Sequence, residues 1–196
     1  MKVAVSMLAS LAALALAHAA HAEGFRLALD GDAAEGPAGE PAFAQADTAA
    51  WSAVVGLADD FDGTEIVLVN AGVDWFVADH VSFGVFGEAL SVSQDADDAL
   101  GGGAGVRVRW HFAVEERFTL FAEAGCGLAA FDGDVPADGS SFNFTPRASF
   151  GATVDLGGGA RLAAQVGWLH FSNAQTSFEN PGIDALAASL GISWEF

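Results

Sequence analysis

The chain has 196 residues, the length of a single domain, with 7 basic against 26 acidic side chains and a formal net charge of −19. That balance excludes nucleic-acid binding driven by phosphate neutralisation, which needs Lys and Arg. A sequence 52% hydrophobic yet this acidic must segregate its two kinds of side chain, and its single cysteine, Cys126, excludes an intrachain disulfide or a cysteine-built zinc site.

Residues 1–22 read as a signal peptide for Sec-type export. Lys2 gives the positive start, "VAVSMLASLAALALA" the apolar stretch, and Ala20-His21-Ala22 the small-x-small cleavage site. Residues 23–49 are dominated by Gly, Pro, Ala and acids and read as a flexible periplasmic lead-in. No apolar run long enough for a membrane-crossing helix follows the leader.

From about Ala50 the sequence alternates with period two, the signature of strands. Eight such segments are expected, at about 50–58, 65–77, 80–92, 103–112, 118–131, 142–155, 161–172 and 184–196. In the last, Leu186, Ala188, Leu190, Ile192, Trp194 and Phe196 share one face, and small or polar residues share the other. Upstream, Val106, Val108, Trp110 and Phe112 alternate with Arg107, Arg109 and His111. The polar face holds both signs of charge among glycines, as the packed interior of a narrow barrel would. Arg107, Arg109 and Arg147 are expected to neutralise Glu88, Glu123 and Glu195 there, because buried charge persists only when paired.

The connections alternate long and short. "ADDFDGT", "SQDADDALGG", "DGDVPADGSS" and "NAQTSFENPGI" are long; "AD", "AVEER" and "LGGGA" are short. Long outer loops, short periplasmic turns and an even strand number describe an eight-stranded antiparallel transmembrane β-barrel of the outer membrane over residues 50–196. Eight strands enclose an interior just filled by side chains, so no pore is expected. The five tryptophans fall on the apolar phase and suit an interfacial aromatic girdle.

One strand breaks its own pattern. In "ARLAAQVGWLHFSN" the outward residues are Leu162, Ala164, Val166 and Trp168, and the next two on that face are His170 and Ser172. Asp184 opens the following strand on its outward phase. The hairpin joining these strands brings hydroxyl, imidazole and carboxylate to one patch near the outer rim. Those three groups suit acyl transfer: the imidazole takes the serine proton, and the carboxylate fixes its tautomer. A strand leaving the bilayer also turns polar without any catalytic purpose, so this triplet alone does not decide the matter.

"HFSNA", then "NPG" and an acid, closed by "LGISWEF", resembles the outer-membrane lipid A 3-O-deacylases, the PagL-like family. "DWFVADHVSFGVFGEALSVSQ", "VRVRWHF", "LFAEAGCGL" and "FNFTP" extend the resemblance over about 70–196. It implies Ser172 as nucleophile, His170 as general base and Asp184 as the acid, where relatives carry a longer glutamate; Glu179 is a weaker candidate for that role. It further implies Asn173 as oxyanion support and Asn180, Pro181 and Gly182 as the turn that shapes the loop. Trp168 is placed to contact an acyl chain. The implied enzyme is a cofactor-free, metal-free serine esterase acting on lipopolysaccharide in the outer leaflet of a Gram-negative outer membrane, as a monomer or homodimer. The rival readings are a non-catalytic structural or adhesive barrel, or an esterase for another membrane lipid.

The remaining motifs are weak. "DDFDG" at 59–63 lacks the later ligands of a calcium loop. His80 and His111 have no partners at metal-ligand spacing, and the glycine-rich stretches lack the Lys-Ser/Thr of a phosphate loop. Cys126 serves as a small apolar residue.

Overall fold

A computed structural model describes residues 43–95, 97–176 and 181–196. The signal peptide, most of the lead-in, and Phe178, Glu179 and Asn180 lie outside the described residues. Eight antiparallel strands close into one barrel in sequence order, β1 pairing with both β2 and β8. They are β1 (Ala49–Asp59), β2 (Glu65–Ala78), β3 (Val81–Ser93), β4 (Ala99–Val114), β5 (Phe118–Val135), β6 (Ser140–Gly157), β7 (Ala160–Phe171) and β8 (Ile183–Glu195). Closure leaves no sheet edge, the condition for strands to cross hydrocarbon with every backbone group paired.

The expected strands are all present, but several run further into the loops. β4 begins at Ala99, β5 reaches Val135 and β6 starts at Ser140. Gly101 and Gly102 read as loop because they have no side chain to alternate. In the barrel Gly101 is a close-approach position, where a Cβ would collide with the Phe131 ring. The short connections are tight, and that between β6 and β7 has Gly158 and Gly159 both at positive φ, as a two-residue hairpin turn requires.

Alternation decides which residues enter the lumen. Towards the long-loop end it is filled by an apolar cluster that includes Ile66, Leu90, Val92, Phe131, Leu169 and Phe171. Below lies a ladder of ion pairs. Arg107 grips Asp74 through two hydrogen bonds of 2.7 Å, Arg109 meets Glu123 at 2.6 Å, and Arg147 reaches both oxygens of Glu88 at 2.9 Å. Two of the three expected acids are thus correct, and the third is corrected: Asp74 is the main partner of Arg107, while Glu195 faces Arg161 near the short-turn end. Glu195 is the last residue of β8, too far along the barrel to serve the central arginines.

Residues before β1 fold across the short-turn mouth. Ala44 is fully buried, its carbonyl accepts from His80 N–H at 2.7 Å, and the Phe43 ring lies against the Arg161 guanidinium. The outer wall is apolar, with Leu57, Val106, Phe150, Val166 and Leu190 among its exposed side chains. Its tryptophans are unevenly placed. Trp51, Trp75, Trp110 and Trp194 lie near the short-turn end, and Trp168 alone lies towards the long loops.

Candidate active site

β7 and β8 run antiparallel with His170 opposite Asp184 and Trp168 opposite Leu186. Directly opposite residues bring their side chains together on one face. That register sets Asp184 directly across from the imidazole, within reach of its short side chain. His170 Nδ1 lies 2.9 Å from Asp184 Oδ1. An ionised carboxylate only accepts, so Nδ1 carries the proton and Nε2 keeps its lone pair for a base's work.

The pair sits on the outside of the barrel, where its side chains are 24% and 69% exposed. An exposed ion pair contributes only about 0–1 kcal/mol to stability, so its presence is not explained by the fold's needs. Two neighbours constrain it. The Trp168 indole N–H donates to the same Asp184 oxygen at 2.7 Å, and its ring stacks on the imidazole at 5.5 Å between centroids, 23° from parallel. Gly182, at φ +67°, closes the other side. A Cβ there would come within 3.2 Å of His170 Cε1 and 3.7 Å of Nε2.

Ser172 follows β7 on the same phase as His170, between the fully buried Phe171 and the buried Asn173. It is fixed to β6 by a single bridge, exchanging backbone hydrogen bonds of 2.7 and 3.1 Å with Phe144. Ser172 lies two positions beyond His170, about 7 Å along the chain. Among the described residues the Ser172 hydroxyl makes no hydrogen bond to His170; such catalytic contacts often tighten only in the substrate complex.

Asn173 lies on the lumen phase and is buried. Its Oδ1 accepts from Gln175 N–H at 2.9 Å, and its carbonyl accepts from Thr176 N–H at 3.0 Å and the Thr176 hydroxyl at 2.7 Å. These bonds hold a turn in which Ala174 and Gln175 both take positive φ, a left-handed conformation uncommon for residues other than glycine. Asn180, the other expected support, lies outside the described residues.

Further down the same wall is an open apolar groove of about 940 Å³. Val166, Ala164, Ala188 and Leu190 line it from β7 and β8, with Leu57 and Phe150 on its flanks. Val166 lies two residues below Trp168 on the same face, so the groove leads up to the His170–Asp184 pair. Sequence reasoning found His170 and Asp184 and missed two contacts: the Trp168 bond to the acid and the Gly182 approach to the base. Both depend on the hairpin register, which no local pattern encodes.

Comparison with solved structures places the fold among outer-membrane barrels. The crystal structure of the outer membrane enzyme PagL matches with a TM-score of 0.53 and 22% identity, over 72% of this chain and 97% of that one. The N-terminal β-barrel domain of Pseudomonas aeruginosa OprF gives 0.54 at 12% identity, over 77% and 98%. Neisserial surface protein A gives 0.50 at 15%, over 76% and 96%. A search of curated proteins found no match. The family model for lipid A 3-O-deacylase (PagL) matches residues 64–193, a span that includes His170, Ser172, Gly182 and Asp184. The chain therefore belongs to the lipid A 3-O-deacylase (PagL) family.

Proposed function

We propose that this outer-membrane barrel is a lipid A 3-O-deacylase whose hydrolysis is carried out by Ser172, His170 and Asp184. The carrying observation is the 2.9 Å contact between His170 Nδ1 and Asp184 Oδ1 on the outer face, with Ser172 following on the same phase. Ser172 Oγ attacks the ester carbonyl as its proton passes to His170 Nε2. The tetrahedral intermediate expels the sugar 3-oxygen, which takes that proton back, leaving an acyl-serine. Water, deprotonated by the same nitrogen, then releases the fatty acid and restores the hydroxyl.

The location suits the substrate. With both chain ends at the periplasmic side, the long-loop rim meets the outer leaflet, where the lipid A esters lie between headgroup and hydrocarbon. A site on the outside wall receives an ester from the membrane plane, and the groove below it offers an apolar surface to the departing acyl chain. The lead-in and leader fit delivery by Sec-type export, and a single barrel carries all three catalytic groups.

Mass spectrometry of lipid A from cells bearing a 3-O-acyl chain tests the proposal. Wild type should remove one hydroxyacyl group and Ser172→Ala none, with both barrels folded. Unchanged lipid A with wild type would favour a non-catalytic barrel. Release of fatty acid from phospholipid instead would reassign the esterase.

A further inference from the structure

We infer that Trp168 is a positioning residue for the catalytic pair, acting through its indole N–H on Asp184 and not only as an apolar contact for substrate; this rests on the reading of His170 and Asp184 given above. Asp184 stands on the open rim, where a carboxylate held by one hydrogen bond is free to change rotamer and turn to water. Trp168 supplies a second, charge-assisted bond to the same oxygen that binds the imidazole, 2.7 Å beside 2.9 Å. The two donors approach from consecutive outward positions of β7 and converge on one acceptor of β8. The carboxylate is therefore fixed in the orientation that keeps the proton on Nδ1.

The same side chain also fixes the imidazole. Its ring lies nearly parallel to that of His170, and Gly182 occupies the Cε1–Nε2 edge. The imidazole is thus held by stacking on one face, by Asp184 at Nδ1 and by a glycine that leaves room at Nε2. Trp168 belongs to this arrangement by placement as well as by contact, since the other four tryptophans lie near the opposite end of the barrel. A diagonal neighbour makes the contact: the residue directly opposite Asp184 is already the histidine, and the long Trp168 side chain spans from the adjacent outward position.

The test uses the full-length barrel in detergent micelles with 3-O-acylated lipid A. Trp168→Phe keeps an aromatic ring and removes the N–H. Its kcat should fall about tenfold with KM within about twofold of wild type, and the His170 Nδ1–H proton should exchange faster with solvent by NMR. Leu186→Ala, which removes the apolar cross-strand neighbour, should change neither. If Trp168→Phe does not fold, replacing Trp168 by benzothienylalanine, its sulfur isostere without the N–H, makes the same comparison. A rise in KM at unchanged kcat would make Trp168 a substrate contact alone and overturn the inference. So would wild-type values throughout, or a fall in kcat with the Nδ1–H exchange unaltered. Should wild type leave lipid A intact, the deacylase reading fails, while the Nδ1–H measurement still decides the role of Trp168.

Discussion

In the lumen, Arg107, Arg109 and Arg147 each meet a carboxylate at 2.6–2.9 Å and are nearly shut off from solvent. At the rim, His170 and Asp184 share a contact of the same length in the open. Bond lengths therefore do not separate the two regions; environment does. Inside, removing either partner leaves a charge buried without compensation, so those pairs hold register and fill the narrow lumen. Outside, water and the rim solvate whatever is left, so the pair adds little to stability and is free to do chemistry. On the proposed mechanism, the hidden ion pairs of this barrel are structural and the exposed His170–Asp184 pair is catalytic.

The sharpest way to break that contrast is at Ser172. Ser172→Ala should reduce lipid A turnover by about 10⁴-fold or more, while the barrel keeps the folded mobility of wild type in unheated gels. Arg107→Ala should do the reverse. Breaking the buried bond to Asp74 costs about 3–5 kcal/mol, read as a lower urea midpoint, with turnover per folded molecule within about twofold of wild type. A large loss of specific activity in Arg107→Ala would show that the lumen ladder sets the site.

Asp184→Asn should lower kcat by up to about 10⁴-fold, because the amide no longer enforces the Nδ1–H tautomer, yet leave the unfolding free energy within about 0.5 kcal/mol of wild type. A large stability loss would place Asp184 with the structural charges. The smallest effect is expected at Gly182. Gly182→Ala places a Cβ 3.2 Å from the imidazole at a left-handed position, costing about 1–2 kcal/mol of strain and several-fold in kcat. An alanine variant with wild-type kinetics would mean that the loop gives way without moving His170.

Much of this was legible in the sequence for a physical reason. Strand side chains alternate strictly, so "GVRVRWHF" and "LAASLGISWEF" disclose which face meets lipid, and the intrusion of His170, Ser172 and Asp184 on that face is visible before any fold is known. Asp74 was within reach of the same logic, since it shares the lumen phase of β2 with Asn70 and Gly72. The ends of β4, β5 and β6 were obscured because glycine carries no phase and acidic residues occur on strands that rise beyond the bilayer. The Trp168–Asp184 bond and the Gly182 approach were not legible at all. Each joins residues across a hairpin whose register is set by the whole barrel, and alternation along one strand says nothing of which residue stands diagonally across from it.

On the proposed mechanism, Ser172 is made nucleophilic by its neighbours on the outer wall. The most direct measurement is the reaction of the folded barrel with a long-chain alkyl fluorophosphonate, followed by peptide mass spectrometry. One covalent adduct is expected, on Ser172, abolished by His170→Ala and retained at the wild-type rate in Arg107→Ala. An adduct on another residue, or labelling of Ser172 that persists without His170, would contradict it.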